Sequence, residues 1–301
     1  PACRRSLVIS LALVSGVVSA SDRTARAEES DNAKNRVLFI GIDGCRTDAL
    51  LAAQAPNLQR LIREGAFARN TDIIHTRARN ADTVSGPGWS NLLTGVWPDK
   101  HGVRKNTFEG KRYGRFPNFL KRIREARSGV QTAALVTWHA FADEQVFETE
   151  DGCQLFDGRQ GGYDRADQKV AEAAVELLDN KHPQVLFVYF GNVDETGHKH
   201  GFHPSVKPYQ KAVEAVDGHV GQVLAAVARR SEQHAERWLI LVATDHGGWG
   251  TKHGGGRGIP EIRYTFLIVH GPTVEPGEIE DATSQVDVVP TALTHLGVAI
   301  D

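Results

Sequence analysis

The feature that most restricts the fold is an alternation of short, almost wholly apolar runs with amphipathic stretches. Val37 to Ile42, Thr132 to Thr137, Val185 to Phe190, Trp238 to Ala243 and Thr265 to Val269 are rich in aliphatic and aromatic residues and show no polar face. A strand of that kind must be covered on both sides, as in a parallel sheet between two helical layers. The intervening segments Ala55 to Glu64, Phe116 to Ala126, Asp167 to Leu178 and Val206 to Ala228 carry helical spacing. Gly65 closes the first of them, and Pro117 falls in the first turn of the second. The expected fold is α/β, with a mostly parallel central sheet flanked by helices on both faces. No repeat, Ser/Pro-rich linker or charge block interrupts the chain, so a single domain is expected over 36–301.

The start of the chain reads differently. Arg4 and Arg5 precede an apolar run from Leu7 to Val18 that ends in Val18-Ser19-Ala20, the pattern of a secretory signal, here residues 1–20. A membrane anchor needs about 18 to 20 apolar residues, which this run lacks. The polar stretch 21–35 then reads as a disordered leader, and the remainder as an exported chain with no transmembrane span. With a formal charge of −2, nothing favours a nucleic-acid polymer as partner. Cys45 and Cys153 lie far apart in sequence and are read as unpaired.

In such sheets ligands gather at the carboxyl ends of the strands, and there the polar residues cluster. Asp43 follows the first run in Gly41-Ile42-Asp43-Gly44. Asp194 and His198 follow the third, in Asn192-Val193-Asp194-Glu195-Thr196-Gly197-His198. Asp245 and His246 follow the fourth, and His253 comes seven residues later in a Gly-rich loop. Oxygen and nitrogen donors of this kind suit Zn²⁺. Six of them exceed the needs of one tetrahedral ion and suit two with open positions, the arrangement that clamps an in-line displacement at phosphorus. Ser85, in Thr83-Val84-Ser85-Gly86-Pro87-Gly88-Trp89, enters a short helical segment. There it either serves as a nucleophile in the field of a helix start or simply caps the helix. Trp89 and Trp249 are read either as apolar walls for a leaving group or as core, Gly254 to Gly258 as a flexible lip beside His253, and Arg257 as a solvated side chain.

Together these residues resemble the alkaline-phosphatase superfamily, and most of all its nucleotide pyrophosphatase/phosphodiesterase (type I phosphodiesterase) branch. Gly41-Ile42-Asp43-Gly44 is similar to the family's first metal-ligand strand, and Ala55 to Gly65 to the helix after it. The stretch from Ser85 to Gly102 resembles the nucleophile helix and its following turn, and Val286 to Val298 the closing helix. The resemblance implies an alkaline-phosphatase-like fold without a large cap domain. It places Ser85 as the nucleophile, Asp194, His198 and His253 on one metal and Asp43, Asp245 and His246 on the other. Asn106, 21 residues after Ser85, falls where the family holds an Asn that hydrogen-bonds a phosphoryl oxygen. The implied activity is a two-zinc phosphoester hydrolase acting through a covalent phosphoserine on a small phosphoester.

Some positions depart from the pattern. His253 follows His246 early, a spacing that looks more like the ethanolamine-phosphate transferase branch, and His270 and His295 are weaker alternatives for its place. Gly86 stands where nucleotide-cleaving relatives carry an aromatic residue. Ser85-Gly86-Pro87-Gly88-Trp89 lacks the Ser and Arg of a sulfatase signature. Val136 to Ala140 carries no Lys or Arg where monoesterases of the superfamily add cations, so phosphodiesters are expected to be favoured. The alternatives are a phosphomonoesterase or a phosphoryl or phosphoethanolamine transferase, and less so a sulfatase or an inactive zinc-stabilised domain.

Overall fold

The computed structural model describes residues 32–300 except residue 79, and the architecture below concerns the unit from Lys34 onward. Eight strands form one sheet in the order β4-β3-β5-β1-β6-β7-β2-β8. They are β1 (Asn35–Ile42), β2 (Ala66–Asp72), β3 (Thr132–Val136), β4 (Cys153–Leu155), β5 (Val185–Phe190), β6 (Arg237–Ala243), β7 (Tyr264–His270) and β8 (Gly277–Glu278). β4, β3, β5, β1 and β6 pair in parallel; β7 runs antiparallel to β6 and to β2, and β8 is parallel to β2. The sheet is therefore mostly parallel, as its uniformly apolar central strands require.

Side chains that alternate along those strands feed two separate cores. Leu38, Ile40, Ile42, Leu186, Val188, Phe190, Ile240 and Val242 pack with the helices Pro56–Glu64, Tyr163–Asn180 and Lys207–His234. Val37, Phe39, Val185, Phe187, Leu239 and Leu241 face the opposite way, against the helices Ser85–Thr94, Phe119–Ala126 and Val288–His295. Both layers are nearly solvent-free, which is why the strand runs tolerate no polar face.

The boundaries depart from the sequence reading in places. The second expected helix starts at Phe119, because Asn118 caps it by accepting a hydrogen bond from the Lys121 amide, and Pro117 lies before the cap rather than in the first turn. The third extends to Tyr163–Asn180 and the fourth to Lys207–His234. β2, β4 and β8 were not expected. β2 reads Ala-Phe-Ala-Arg-Asn-Thr-Asp, with Arg69 and Asn70 exposed, and the other two are short strands at the sheet edges. The signal and leader segments, 1–20 and 21–35, lie almost entirely outside the described residues. Among the described residues no helix is long and apolar enough to cross a membrane.

Candidate active site and metal centre

β5, β1 and β6 are neighbours and parallel, so their carboxyl ends open on one edge of the sheet. Asp43 follows β1 directly, and Asp245 and His246 follow β6 after Thr244. Beyond β5 the chain enters the helix Asn192–His200, which carries Asp194 and His198 one turn apart on the same face. Gly44 adopts a left-handed φ of 62°, and a Cβ there would lie 2.5 Å from Asp194 Oδ1, so only glycine lets the β1 end approach that carboxylate.

The six side chains form two sets, Asp194 with His198 and His253, and Asp43 with Asp245 and His246. Within each set the candidate donor atoms lie within 4.8 Å of one another. The His246 and His253 rings stack at 3.7 Å between centroids, which places the sets side by side.

The imidazoles are held alike. Nδ1 of His198 faces the Thr251 carbonyl, that of His246 the Gly247 carbonyl and that of His253 the Thr83 carbonyl, each at 2.9 Å. A carbonyl can only accept, so each Nδ1 carries the proton and each Nε2 is turned inward. His198 Nε2 and His253 Nε2 lie 2.9 Å apart, with Asp194 oxygens at 3.4 and 3.7 Å. His246 Nε2 lies 3.2 Å from Asp245 Oδ2 and 3.6 Å from Asp43 Oδ1. Asp43 Oδ1, Asp194 Oδ1 and Asp245 Oδ2 are buried with no hydrogen-bond partner among the described residues.

Such crowding shifts the acids and bases. Burial, reinforced by the Asp194 charge, pushes the Asp43 carboxyl up to about 6, and burial raises Asp245 well above the carboxylate range. Burial acts on Asp194 in the same sense, but the His198 hydrogen bond and the His246 and His253 charges bring it below its ordinary value. The same hydrogen bond raises His198 to about 9, while burial and the neighbouring His246 lower His253 to about 3. Three converging carboxylates, inward imidazole nitrogens and unpartnered buried oxygens fit two divalent cations.

Ser85 is the first residue of the helix Ser85–Thr94, with Val84 at the cap position and no side-chain cap. Its hydroxyl lies 3.3 Å from His246 Nε2. Gly88, one turn on, allows the helix to rest on the β6 end, since a Cβ there would lie 2.7 Å from the Asp245 carbonyl oxygen. Asn106 approaches the same helix start: the Gly86 amide donates to its Oδ1 at 2.7 Å. That contact fixes which end of the amide is the acceptor and leaves the Nδ2 donors for other partners.

Trp89 is no wall for a leaving group; it is buried among Phe141, Phe187 and Tyr189, and its indole N–H donates to Asp43 Oδ2 at 2.9 Å. The Tyr189 hydroxyl donates to the same oxygen, so two aromatic donors leave Oδ1 to face the His246 side. Trp249 is 54% exposed. The Gly-rich segment is pinned rather than a free lip: Gly255 and Gly256 amides donate to Asp82 Oδ1 and Thr83 Oγ1 at 2.6 and 2.9 Å. Arg257 donates to the Ala78 and Ala81 carbonyls. His270, the last residue of β7, pairs with Ile240 at the middle of β6, away from the site edge, and faces Glu64, while His295 faces the Arg237 carbonyl. Cys45 and Cys153 are free thiols whose ionisation burial opposes. Tyr189, Thr83 and Asp167 escaped the sequence reading; the one available signal was a Tyr in a buried run, whose hydroxyl needs a partner.

Residues 37–254 match the family described as type I phosphodiesterase/nucleotide pyrophosphatase. The chain belongs to that family. It is 23% identical over 240 residues to human ectonucleotide pyrophosphatase/phosphodiesterase family member 7, a match covering 73% of this chain and 49% of the relative. It is 32% identical over 143 residues to the human GPI ethanolamine phosphate transferase 3 catalytic subunit, covering 46% of this chain and 12% of that protein. The chain thus spans at most about half the length of these curated relatives. Among solved structures, inactive murine ectonucleotide pyrophosphatase/phosphodiesterase 5 in complex with AMP superposes with a TM-score of 0.66 at 16% identity, covering 88% of this chain and 96% of that one. A 2-O GAG sulfatase superposes with a TM-score of 0.67 at 16% identity, covering 89% and 72%. The fold is that of the alkaline-phosphatase superfamily.

Proposed function

We propose that the chain is a metal-dependent phosphoric ester hydrolase that favours diesters, with Ser85 as nucleophile. The observation that carries this reading is the Ser85 hydroxyl at a helix start, 3.3 Å from His246 Nε2 and beside two sets of three oxygen and nitrogen donors. Asp194, His198 and His253 would hold one divalent cation and Asp43, Asp245 and His246 the other, with Zn²⁺ best suited to this donor chemistry. Such cations, when bound, neutralise phosphoryl oxygens and make a hydroxyl more acidic. Ser85 releases its hydroxyl proton to solvent as Oγ forms a bond to phosphorus, the bond from phosphorus to the leaving oxygen breaks, and that oxygen takes a proton from solvent and departs as the alcohol. Water then attacks phosphorus from the vacated side, the bond from phosphorus to Ser85 Oγ breaks, and the phosphomonoester leaves while a proton from that water restores the Ser85 hydroxyl. Asn106 Nδ2, its carbonyl end tied to Gly86, donates to the charge that develops on a phosphoryl oxygen.

The preference for diesters rests on the segment after β3. Trp138 packs against Phe108 and Phe141, and Thr137 bonds to Asp167; apart from His139, Val136 to Ala140 supplies no cationic side chain, neither Lys nor Arg, for the second charge of a monoester. A transferase reading draws on the similarity to the ethanolamine phosphate transferase and on the early His253; it shares the first half-reaction and replaces water by an acceptor alcohol. Export is proposed from the 1–20 pattern.

The test is turnover of a nitrophenyl methyl diester, a nitrophenyl monoester and a nitrophenyl sulfate by zinc-loaded protein, with and without a chelator, and with an added alcohol. The expected result is the highest kcat/KM on the diester, loss with chelator and no transfer to the alcohol. A higher value on the monoester overturns the preference, and chelator-insensitive turnover overturns the metal reading.

A further inference from the structure

Two loops from distant parts of the chain meet where one leads into Ser85 and the other supplies His253, and Thr83 joins them. Its main-chain carbonyl accepts the His253 Nδ1 proton at 2.9 Å, while its hydroxyl donates to the His253 carbonyl at 2.5 Å. The same hydroxyl accepts from the Gly256 amide at 2.9 Å. Thr83, His253 and Gly256 are all buried, so each of these groups would otherwise stand unpaired away from water. The two bonds between Thr83 and His253 close a ring that restrains both the imidazole and the backbone that carries it. Asp82 adds a second tie, accepting from the Gly255 amide at 2.6 Å and the Thr83 amide at 2.8 Å.

We propose that Thr83 is a positioning residue that sets His253 for cation binding, through a hydroxyl that touches neither substrate nor cation. This rests on the metal reading given above. A ligand restrained before the cation arrives loses less freedom on binding, and removing such an outer contact typically costs about 10- to 100-fold in metal affinity.

Thr83→Val keeps the branched shape and the carbonyl that holds His253 Nδ1, and removes the hydroxyl. In metal-free protein, amide exchange at Gly256 should accelerate in Thr83→Val and return to the wild-type rate in Thr83→Ser. In a zinc titration against a chromophoric chelator, Thr83→Val should show one of two equivalents weakened by about 10- to 100-fold and the other unchanged, with Thr83→Ser near wild type. Wild-type exchange at Gly256 in the valine variant, or two equivalents bound with unaltered affinity, overturns the proposal. Failure of the wild-type protein to take up zinc overturns the metal reading instead, and the exchange measurement still reports whether Thr83 holds the loop.

Discussion

Ser85 could have served as a helix cap, yet Val84 occupies the cap position and the hydroxyl turns to His246. Ser85→Ala should therefore abolish turnover while zinc content and the unfolding midpoint stay near wild type, as elemental analysis and denaturant titration would show; a fully active variant would mean that water attacks phosphorus directly. Asn106 is exposed but has one end of its amide tied to Gly86, so its donor is oriented before substrate arrives. By comparison with other donors aimed at developing charge, Asn106→Ala should lower kcat by about 10²- to 10³-fold, or about 2.7–4 kcal/mol, with a smaller change in KM. An equal loss in binding and no loss in kcat would assign it to ground-state recognition.

At the scale of elements, the short helix Asn192–His200 carries two candidate ligands but has Gly191 at its cap, which offers no side chain. Asp167, from the neighbouring helix Tyr163–Asn180, supplies what is missing: its Oδ1 accepts from the Gly191 amide at 2.9 Å and its Oδ2 from the Asn192 amide at 3.0 Å, with Thr137 Oγ1 at 3.3 Å. A carboxylate here also complements the positive end of the helix. Burial nevertheless dominates and pushes Asp167 from 3.8 up to about 7. Between those values the folded chain holds a proton that the unfolded chain has released. This group's contribution to stability therefore falls as pH rises through the window. Asp167→Asn removes that titration. The denaturation midpoint of the metal-free variant, relative to wild type, should rise from about pH 4 to about pH 7; parallel pH profiles would show that the backbone amides, not burial, govern this carboxyl.

At the scale of the whole molecule, the candidate centre draws on three parallel strand ends, the helix Ser85–Thr94 and the loop to His253, so the full set of candidate ligands comes together only in the folded chain. Cations that bind the folded state alone should raise the unfolding free energy by about 2.7 kcal/mol at a hundredfold excess over Kd. Zinc-loaded protein should melt higher than chelated protein, and re-addition of zinc should restore the difference. His253→Ala should retain one equivalent of two and Asp245→Ala the other by elemental analysis, with activity lost in both; two equivalents retained in His253→Ala would move that ligand elsewhere.

The amino-acid sequence alone determined the central strands, because a strand covered on both faces must be apolar throughout, and that is a local property. It also pointed to the six acids and histidines, since each set follows a strand or a loop directly after one. Strand order was a tertiary outcome: nothing local states that β5, β1 and β6 are adjacent, and adjacency is what brings residues 43, 194 and 245 to one edge. The antiparallel course of β7, which carries His270 away from the site, was equally invisible. So were the contacts that orient the candidate ligands. Trp89 and Tyr189 on Asp43, Thr83 on His253 and Asp167 on the Gly191 and Asn192 amides join residues far apart in sequence. Hydrogen bonds of that kind leave no periodicity behind, because their partners are chosen by how the layers pack and not by the spacing of residues along the chain.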